Sequence, residues 1–404
     1  MKPERIAEFK QQIEAEYARS KAGQYPSGFP ERMEIPVARY VDPTFYELEK
    51  KHLWSKVWLI AGHVDELPEI GSFKQWTLTD DPVLLVRGKD NRIRAFYNSC
   101  RHRGAAVVRE EKGTAKVLAC KFHAWTYDLQ GDLLFVPEEA DFAGLNKQDY
   151  HLIPLRCELW GNLIFINRDP DAMPLSQYFG KANTEMAHFE FDTLRLGAVL
   201  TYDLKCNWKT AFEAFLEAYH VDTTHPRTVA PFLDSRGVVH EMWGYSSLMV
   251  LPNYKNIEFP YSTSVSTDPR HELTRASSMN FDVFPNLHIP LTEFSFPLMV
   301  FWPTGIDTCR SQVIFMEPPD NPRPTAEQEQ AVYQQVDNVM LEDFGNVESQ
   351  QKTNECGVMK HIRIGYREWR IYRWNELIDL TIGQEKIPPS LQVPILLNSL
   401  LEKS

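Results

Sequence analysis

The sequence lacks the features of a secreted or membrane-embedded protein. No apolar run approaches the roughly 20 residues that a membrane-spanning helix needs. The chain starts Met1-Lys2-Pro3-Glu4-Arg5 without an apolar segment behind it, so no secretory signal is expected. Its six cysteines are scattered and do not form the dense pattern of a disulfide-stabilised secreted protein. These absences predict a cytoplasmic protein with reduced thiols.

The sequence also lacks an excess of positive charge. Its 43 Lys and Arg are outnumbered by 55 Asp and Glu, which gives a net charge of −12. Neither nucleic acid nor an anionic membrane is therefore expected as a partner. There is no internal repeat and no low-complexity segment. At a prior of about 150 residues per domain, the length predicts two or three domains.

Two short motifs each offer one thiolate and one imidazole. The first contains Cys100 and His102, and the second contains Cys120 and His123. Two thiolates and two imidazoles suit a Rieske [2Fe–2S] cluster, although a structural zinc ion accepts the same four ligands. The cluster is favoured because a second metal motif follows later in the chain.

The region around these motifs has the pattern of short strands. Apolar or alternating runs lie between turn residues at 83–86, 93–97, 116–119 and 163–166. This pattern predicts a small all-β domain over residues 41–170, with both motifs in loops beside strands. Residues 1–22 have helical spacing. The segment 1–40 is expected to pack with the second domain, residues 171–404.

Residues 171–404 mix helices and strands. Strands are predicted at 199–205, 247–250, 287–290, 298–301 and 312–316, and helices at 207–221, 326–352 and 368–382. On the first helix, Glu213, Glu217 and His220 are spaced to share one face. His225 follows just before Pro226.

The His220 and His225 pair suggests a second metal site. Two ordinary loop histidines would need no metal, but a redox cluster elsewhere in the chain needs an electron acceptor. Two imidazoles with one carboxylate form the facial triad of non-haem Fe(II) oxygenases. Asp343 is the preferred carboxylate, and Glu342 and Asp337 are the alternatives.

These motifs resemble those of the catalytic α subunits of Rieske non-haem iron oxygenases, the ring-hydroxylating oxygenases. The order matches over nearly the whole chain: the cluster motifs, Asn207-Trp208-Lys209 opening a helix, the His pair and a late Asp. The resemblance implies cluster ligands Cys100, His102, Cys120 and His123, and mononuclear iron ligands His220, His225 and Asp343. It also matches Asn207 to an Asn near that iron. Glu217 takes the place of an acid that bridges to a neighbouring subunit's cluster, where His123 is the expected contact.

The resemblance further implies an α+β fold, in which a small all-β Rieske domain joins a helix-grip catalytic domain with a central antiparallel sheet. The assembly would be a homotrimer, with a β subunit left open. Electrons would come from NAD(P)H through a reductase, a ferredoxin or both. The implied reaction is mono- or dioxygenation of a small hydrophobic, aromatic or polycyclic substrate by O₂. Oxidative O- or N-demethylation is an alternative, and an electron-transfer protein without oxygenase activity is a remote one.

The chain departs from the family pattern in the second cluster motif and at the bridging acid. The family usually reads Cys-Pro-Tyr-His-Gly-Trp, whereas this chain has Lys121, Phe122 and Ala124, and the bridging acid is often Asp where this chain has Glu217. Candidates for lining a substrate pocket are Phe212, Phe215, Leu216, Phe232, Leu233, Asn286, His288 and Phe294. Basic residues crowd the cluster motifs and suggest a docking patch for an acidic electron donor: Arg101, Arg103, Arg109, Lys112, Lys116 and Lys121.

Overall fold

The computed structural model describes residues 1–79, 81–254, 269–291, 296–317 and 325–398. The chain divides into two compact units, a smaller one of Ser55–Leu175 and a larger one of Met1–Trp54 with Ser176–Ser404. Residues 41–54, expected from the sequence in the β domain, belong to the larger unit. The contacts that join them to it include a buried ion pair between Glu49 and Lys209, whose Oε1 and Nζ lie 2.6 Å apart, and the packing of Trp54 against Trp208.

The smaller unit is all-β, as predicted. Its strands are β2 (Leu59–His63), β3 (Ser72–Trp76), β4 (Val83–Arg87), β5 (Ile93–Tyr97), β6 (Lys112–Thr114), β7 (Leu118–Ala119), β8 (Thr126–Tyr127), β9 (Leu133–Phe135), β10 (Pro154–Trp160) and β11 (Leu163–Asn167). The described residues form one antiparallel sheet in the order β2-β11-β10-β5-β4-β3-β6 and a second in the order β7-β8-β9. One motif follows β5 and the other lies between β7 and β8. Both motifs therefore lie in short loops anchored by paired strands.

The larger unit is α+β, also as predicted. Its sheet strands are β12 (Arg195–Leu204), β13 (Val239–Met242), β14 (Ser246–Pro252), β15 (Ser277–Val283), β16 (Leu287–Leu291), β17 (Phe296–Pro303) and β18 (Cys309–Glu317). They form an antiparallel sheet in the order β12-β18-β17-β16-β15-β14-β13, and β1 (Met33–Pro36) pairs separately with β19 (His361–Ile364). This is the predicted central antiparallel sheet.

The helices of the described residues are α1 (Pro3–Ala22), α2 (Pro43–Leu48), α3 (Leu175–Phe179), α4 (Ala182–Glu185), α5 (Trp208–Glu213), α6 (Val221–Thr224), α7 (Glu272–Ala276), α8 (Ala326–Cys356) and α9 (Trp369–Ile382). Helix α5 packs on β17, β18 and the long helix α8. In this part of the chain, no helix has the length and apolar character needed to cross a membrane.

The helix predicted over residues 207–221 is wrong in one respect, because it is broken. Helix α5 ends at Glu213, a 3₁₀ turn covers Ala214–Leu216, and Glu217 is extended with φ −144° and ψ 169°. The Glu217 carboxylate accepts the backbone N–H groups of Tyr219 and His220, which competes with helical hydrogen bonding. As a result, Glu213, Glu217 and His220 do not share a helical face.

Candidate metal centres

Three predicted ligands converge in the larger unit. Asp343 Oδ1 lies 3.0 Å from His225 Nε2 and 3.5 Å from His220 Nε2. The ligand atoms of the three side chains all lie within 4.8 Å of one another. Among the described residues, no other group of three or more His, Cys, Asp or Glu side chains could hold one ion. Two imidazole nitrogens and a carboxylate oxygen are the donor set of a facial-triad iron site, so the residues fit Fe(II).

Each of the two imidazoles is held by its own carboxylate. Glu217 Oε1 lies 2.5 Å from His220 Nδ1, and Glu342 Oε2 lies 2.7 Å from His225 Nδ1. A carboxylate can only accept, so each Nδ1 carries a proton, and Nε2 is the ring nitrogen that would bind a metal. Glu342 is the alternative to Asp343 as the third ligand. The structure gives Glu342 the supporting position instead.

The charge around this site favours a cation. Burial lowers the pKa of His220 and of His225, but the neighbouring carboxylates outweigh that effect and raise both pKa values. Protons and a divalent metal would therefore compete for the two imidazoles, which makes metal affinity dependent on pH.

Asp337, the weaker alternative for the third ligand, instead accepts a hydrogen bond of 2.8 Å from the Tyr202 hydroxyl.

Local packing explains why these side chains meet. His220 directly precedes the short helix α6 and His225 directly follows it, so one turn of helix separates them. On α8, the buried side chains of Met340, Phe344 and Val347 flank Asp343 at helical spacing and turn its carboxylate inward. The residues beside the His pair join an apolar cluster of Ala218, Val221, Leu233, Val238, Met249 and Leu251.

The two motif loops of the smaller unit share one backbone design. Cys100 N–H donates to Ala105 O and Gly104 N–H donates back to Cys100 O, both at 2.8 Å. In the second loop, Cys120 pairs in the same way with Trp125 and Ala124, with both distances 2.9 Å. Gly104 and Ala124 both have positive φ, at 76° and 55°. The spacings Cys-x-His and Cys-x-x-His therefore produce equivalent turns.

The loop side chains fit a two-iron cluster. Cys100 and Cys120 are 4% and 2% exposed, and the rings of His102 and His123 lie 4.8 Å apart. His102 Nδ1 is buried without a hydrogen-bond partner, which leaves it available to a metal. A zinc ion needs all four donors about 2.0–2.3 Å from one centre. Within the described residues these four do not form a single-ion site, whereas a [2Fe–2S] cluster divides them between two irons.

Tyr127 is a candidate that sequence analysis missed. Its hydroxyl lies 3.3 Å from Cys100 Sγ and accepts a 2.9 Å hydrogen bond from the Arg101 N–H. The phenolic proton is therefore free to point at the sulfur. Hydrogen bonds to cluster sulfurs tune the reduction potential. In the sequence, the feature that could have pointed to this residue is its position two residues after Trp125, at the end of the second motif.

Asn207 does not join the converging group. Its side chain caps α5, because Oδ1 accepts from Lys209 N–H at 3.0 Å and Nδ2 donates to Ile306 O at 2.8 Å. Its backbone N–H donates to Gln351. The described contacts of Asn207 are thus structural ones.

The pocket candidates fall into separate groups. Phe215 packs against His288 and Phe301, with ring centroids 5.1 Å and 5.2 Å away. Phe212 also contacts Phe301. Asn286 donates to the backbone oxygen of Phe301, which is a structural role. Leu216 is buried, Leu233 with Phe232 belongs to the apolar cluster beside the His pair, and Phe294 lies outside the described residues.

Comparisons with known families support both centres. A family model for the Rieske [2Fe-2S] domain matches residues 57–149, and one for the ring hydroxylating alpha subunit (catalytic domain) matches residues 191–382. The alpha subunit of biphenyl 2,3-dioxygenase from Rhodococcus jostii (strain RHA1) is 39% identical over 191 residues, which are 46% of this chain and 42% of that protein. The oxygenase subunit of glycine betaine monooxygenase from Pseudomonas aeruginosa (strain UCBPP-PA14) is 32% identical over 202 residues, which are 50% of this chain and 46% of that protein. The match thus spans less than half the length of these curated relatives.

A solved structure shares the fold. It is a quaternary ammonium Rieske monooxygenase involved in carnitine oxidation by gut microbiota, with a TM-score of 0.75 and 22% identity. The superposition covers 89% of this chain and 99% of that one.

Proposed function

We propose that the chain is a Rieske non-haem iron oxygenase and acts as the terminal oxygenase of a multicomponent system, because models of both domains of that family match it. It would use O₂ and electrons from NAD(P)H to hydroxylate a small hydrophobic, aromatic or polycyclic substrate. The observation that carries this proposal is the convergence of His220, His225 and Asp343 with a separate carboxylate behind each imidazole. A protein that only carries electrons has no use for this second site.

We assign the ligands as follows. Cys100, His102, Cys120 and His123 hold the cluster, and His220, His225 and Asp343 hold the iron. When bound, the cluster would supply electrons one at a time, and the iron would supply open coordination positions for O₂. Glu217 and Glu342 keep the proton on each Nδ1 and so keep each Nε2 available. Phe212 and Phe215 precede Glu217 and His220 in sequence and pack on Phe301, and we propose that these apolar rings lie near a hydrophobic substrate.

A second candidate reaction is oxidative O- or N-demethylation. It is favoured by the similarity to an oxygenase subunit named for glycine betaine, a quaternary amine. The higher identity to a biphenyl dioxygenase subunit favours ring hydroxylation as the first candidate. The products separate the two, because demethylation releases formaldehyde and ring oxygenation does not.

The partners follow from the electron source. We propose a reductase that oxidises NAD(P)H, with or without a ferredoxin, and a homotrimer in which Glu217 contacts the cluster His123 of a neighbouring copy. The proposal does not specify whether the assembly also contains a β subunit. We place the protein in the cytoplasm, where NAD(P)H is available.

The test is iron and acid-labile sulfide per chain on anaerobically purified protein, followed by ¹⁸O₂ turnover with a reductase and candidate substrates. About three irons to two sulfides and ¹⁸O in the product are expected. Asp343→Asn should reduce the ratio to about two irons to two sulfides and abolish ¹⁸O incorporation. The matched control Asp337→Asn, on the same helix, should do neither. Zinc without sulfide, or full activity in Asp343→Asn, would contradict the proposal.

A further inference from the structure

A buried arginine lies where the chain breaks ahead of the metal site. Arg370, on α9, is 0% exposed. Its Nε donates to Leu216 O at 2.9 Å, and its Nη2 donates to Phe215 O at 3.3 Å. These carbonyls end the 3₁₀ turn that follows α5. A cation is favoured at such a terminus, because the last carbonyls have no helical partner.

The other side of the guanidinium is anchored to the sheet. Arg370 Nη1 lies 2.5 Å from Asp282 Oδ2 and 2.8 Å from Ser247 Oγ. The second oxygen of Asp282 lies 2.7 Å from His288 Nδ1. Ser247, Asp282 and His288 are directly opposite one another on β14, β15 and β16. Three neighbouring strands therefore fix the position of the arginine.

The two carbonyls bound by Arg370 immediately precede Glu217, the residue whose carboxylate contacts a proposed metal ligand. Leu216 is followed by Glu217, which is 8% exposed and has its carboxylate at His220 Nδ1. Arg370 is also close enough to Glu217 to interact with it electrostatically. The planar guanidinium of Arg370 contacts two backbone carbonyls and the Asp282 carboxylate at the same time. The compact ammonium of a lysine could not make all three contacts together.

Burying this ion pair is costly, and hydrophobic residues of similar volume often stabilise a protein as well or better. We propose that Arg370, anchored by Asp282, is a positioning residue. It fixes the chain break at residues 215–217, so that Glu217 reaches His220 and orients it for metal binding. The inference rests on the proposed function, because it presumes a metal at His220, His225 and Asp343.

The test is an anaerobic Co(II) titration of protein whose cluster is intact and whose mononuclear iron has been removed by a chelator. Co(II) reports both affinity and ligand geometry through its visible absorption. The first variant is Arg370→Lys. The second, Arg370→Met with Asp282→Asn, removes both charges together, so that no unpaired carboxylate is left to prevent folding. The control is Arg373→Lys on the same helix, whose arginine pairs with Glu376 at 2.7 Å.

Supporting residues around a metal typically change its affinity by about 10–100-fold. Since Arg370 acts through Glu217, the expected loss of Co(II) affinity is about three- to tenfold in the double variant and less in Arg370→Lys. The Co(II) spectrum should shift in both variants, and the control should match the unaltered protein. An affinity and spectrum unchanged in both variants would overturn the inference. An equal change in Arg373→Lys would overturn it too, because general loosening of α9 would then explain the effect. If the unaltered protein binds no Co(II), the proposed metal site, and with it the proposed function, is contradicted, whatever the variants show.

Discussion

In the proposed mononuclear site, a single hydrogen bond supports each imidazole. Both imidazoles direct Nδ1 at a carboxylate, and both carboxylates come from residues close to another ligand in sequence: Glu217 precedes His220, and Glu342 precedes Asp343. Substituting one such acid therefore changes the orientation and basicity of an imidazole without removing a ligand.

Glu217→Gln should retain iron but lose coupled turnover. The amide oxygen still accepts from His220 Nδ1, while the negative charge proposed to join the two centres is gone. Product formed per NAD(P)H consumed is the measurement. Glu368→Gln is the control, because Glu368 lies near Glu217 but accepts its hydrogen bond from Gly365 N–H. Normal product yield in Glu217→Gln would rule out this role.

Glu213 should make stability depend on pH. Its carboxylate accepts hydrogen bonds from the Tyr40 hydroxyl and Asn375 Nδ2, and burial raises its pKa to about 7. Between the ordinary pKa near 4.5 and this value, the folded protein binds a proton that the unfolded chain has lost. The contribution of Glu213 to stability therefore falls as pH rises through that window and is constant above it.

The measurement is the midpoint of urea unfolding at pH 5 to 8, compared between the unaltered protein and Glu213→Gln. The variant keeps its hydrogen-bond acceptor but cannot ionise. Its stability relative to the unaltered protein should therefore rise with pH up to about 7. A constant difference across this range would show that Glu213 does not titrate there.

At the scale of elements, the two cluster loops are repeats of one turn that differ at a single backbone-critical position. Gly104 takes φ of 76° in the first loop, and Ala124 takes φ of 55° in the second. The left-handed region costs an L-residue about 1–2 kcal/mol, and glycine avoids that cost. The second loop therefore contains strain that the first one lacks.

Gly104→Ala should destabilise the folded protein by about 1 kcal/mol, and Ala124→Gly should stabilise it by a similar or smaller amount. A Cβ on Gly104 would meet only Ser99 Oγ at 3.8 Å, so backbone strain and not collision sets the effect. The measurement is anaerobic urea unfolding followed by the visible circular dichroism of the cluster. A Gly104→Ala variant that is more stable than the unaltered protein, or an Ala124→Gly variant that is less stable, would contradict the assigned turn geometry.

At the scale of the whole molecule, charge is unevenly distributed. The chain has a net charge of −12, yet Arg103, Arg109, Lys112, Lys116 and Lys121 are exposed on the smaller unit. Among them, Lys121 is partly compensated by Glu110, with Nζ and Oε1 3.5 Å apart. Phe122 is 50% exposed beneath the Arg103 guanidinium, so an apolar contact lies within this basic patch.

This patch should steer an acidic electron donor. Reduction of the cluster by the donor is then expected to slow by about tenfold or more between roughly 50 and 500 mM salt, since screening shortens the reach of charge. Stopped-flow reduction at several salt concentrations is the measurement. Replacing Lys112 and Lys116 by Gln should flatten the dependence, whereas replacing Lys386, in the larger unit, should not. A flat profile in the unaltered protein would exclude electrostatic docking here.

The sequence by itself determined the kinds of chemistry and the local elements. The Cys-x-His and Cys-x-x-His spacings predicted the cluster loops, and the His pair with a late carboxylate predicted the second centre. Short apolar or alternating runs between turn residues located strands such as β4, β5 and β11, because such a run depends only on neighbours along the chain. These inferences hold because ligand type and periodicity are short-range properties.

Tertiary structure decided what depends on residues distant in sequence. Adjacent carboxylates at 342 and 343 are indistinguishable by pattern, and only the docking of α8 turns Asp343 to both Nε2 atoms and Glu342 to one Nδ1. The break at Glu217 is equally hidden, because residues 208–219 have helical apolar spacing and the contacts at the break include Arg370, about 150 residues later. Residues 41–54 belong to the larger unit, where Glu49 pairs with Lys209, 160 residues later in the chain. Long-range contacts of this kind have no local signal.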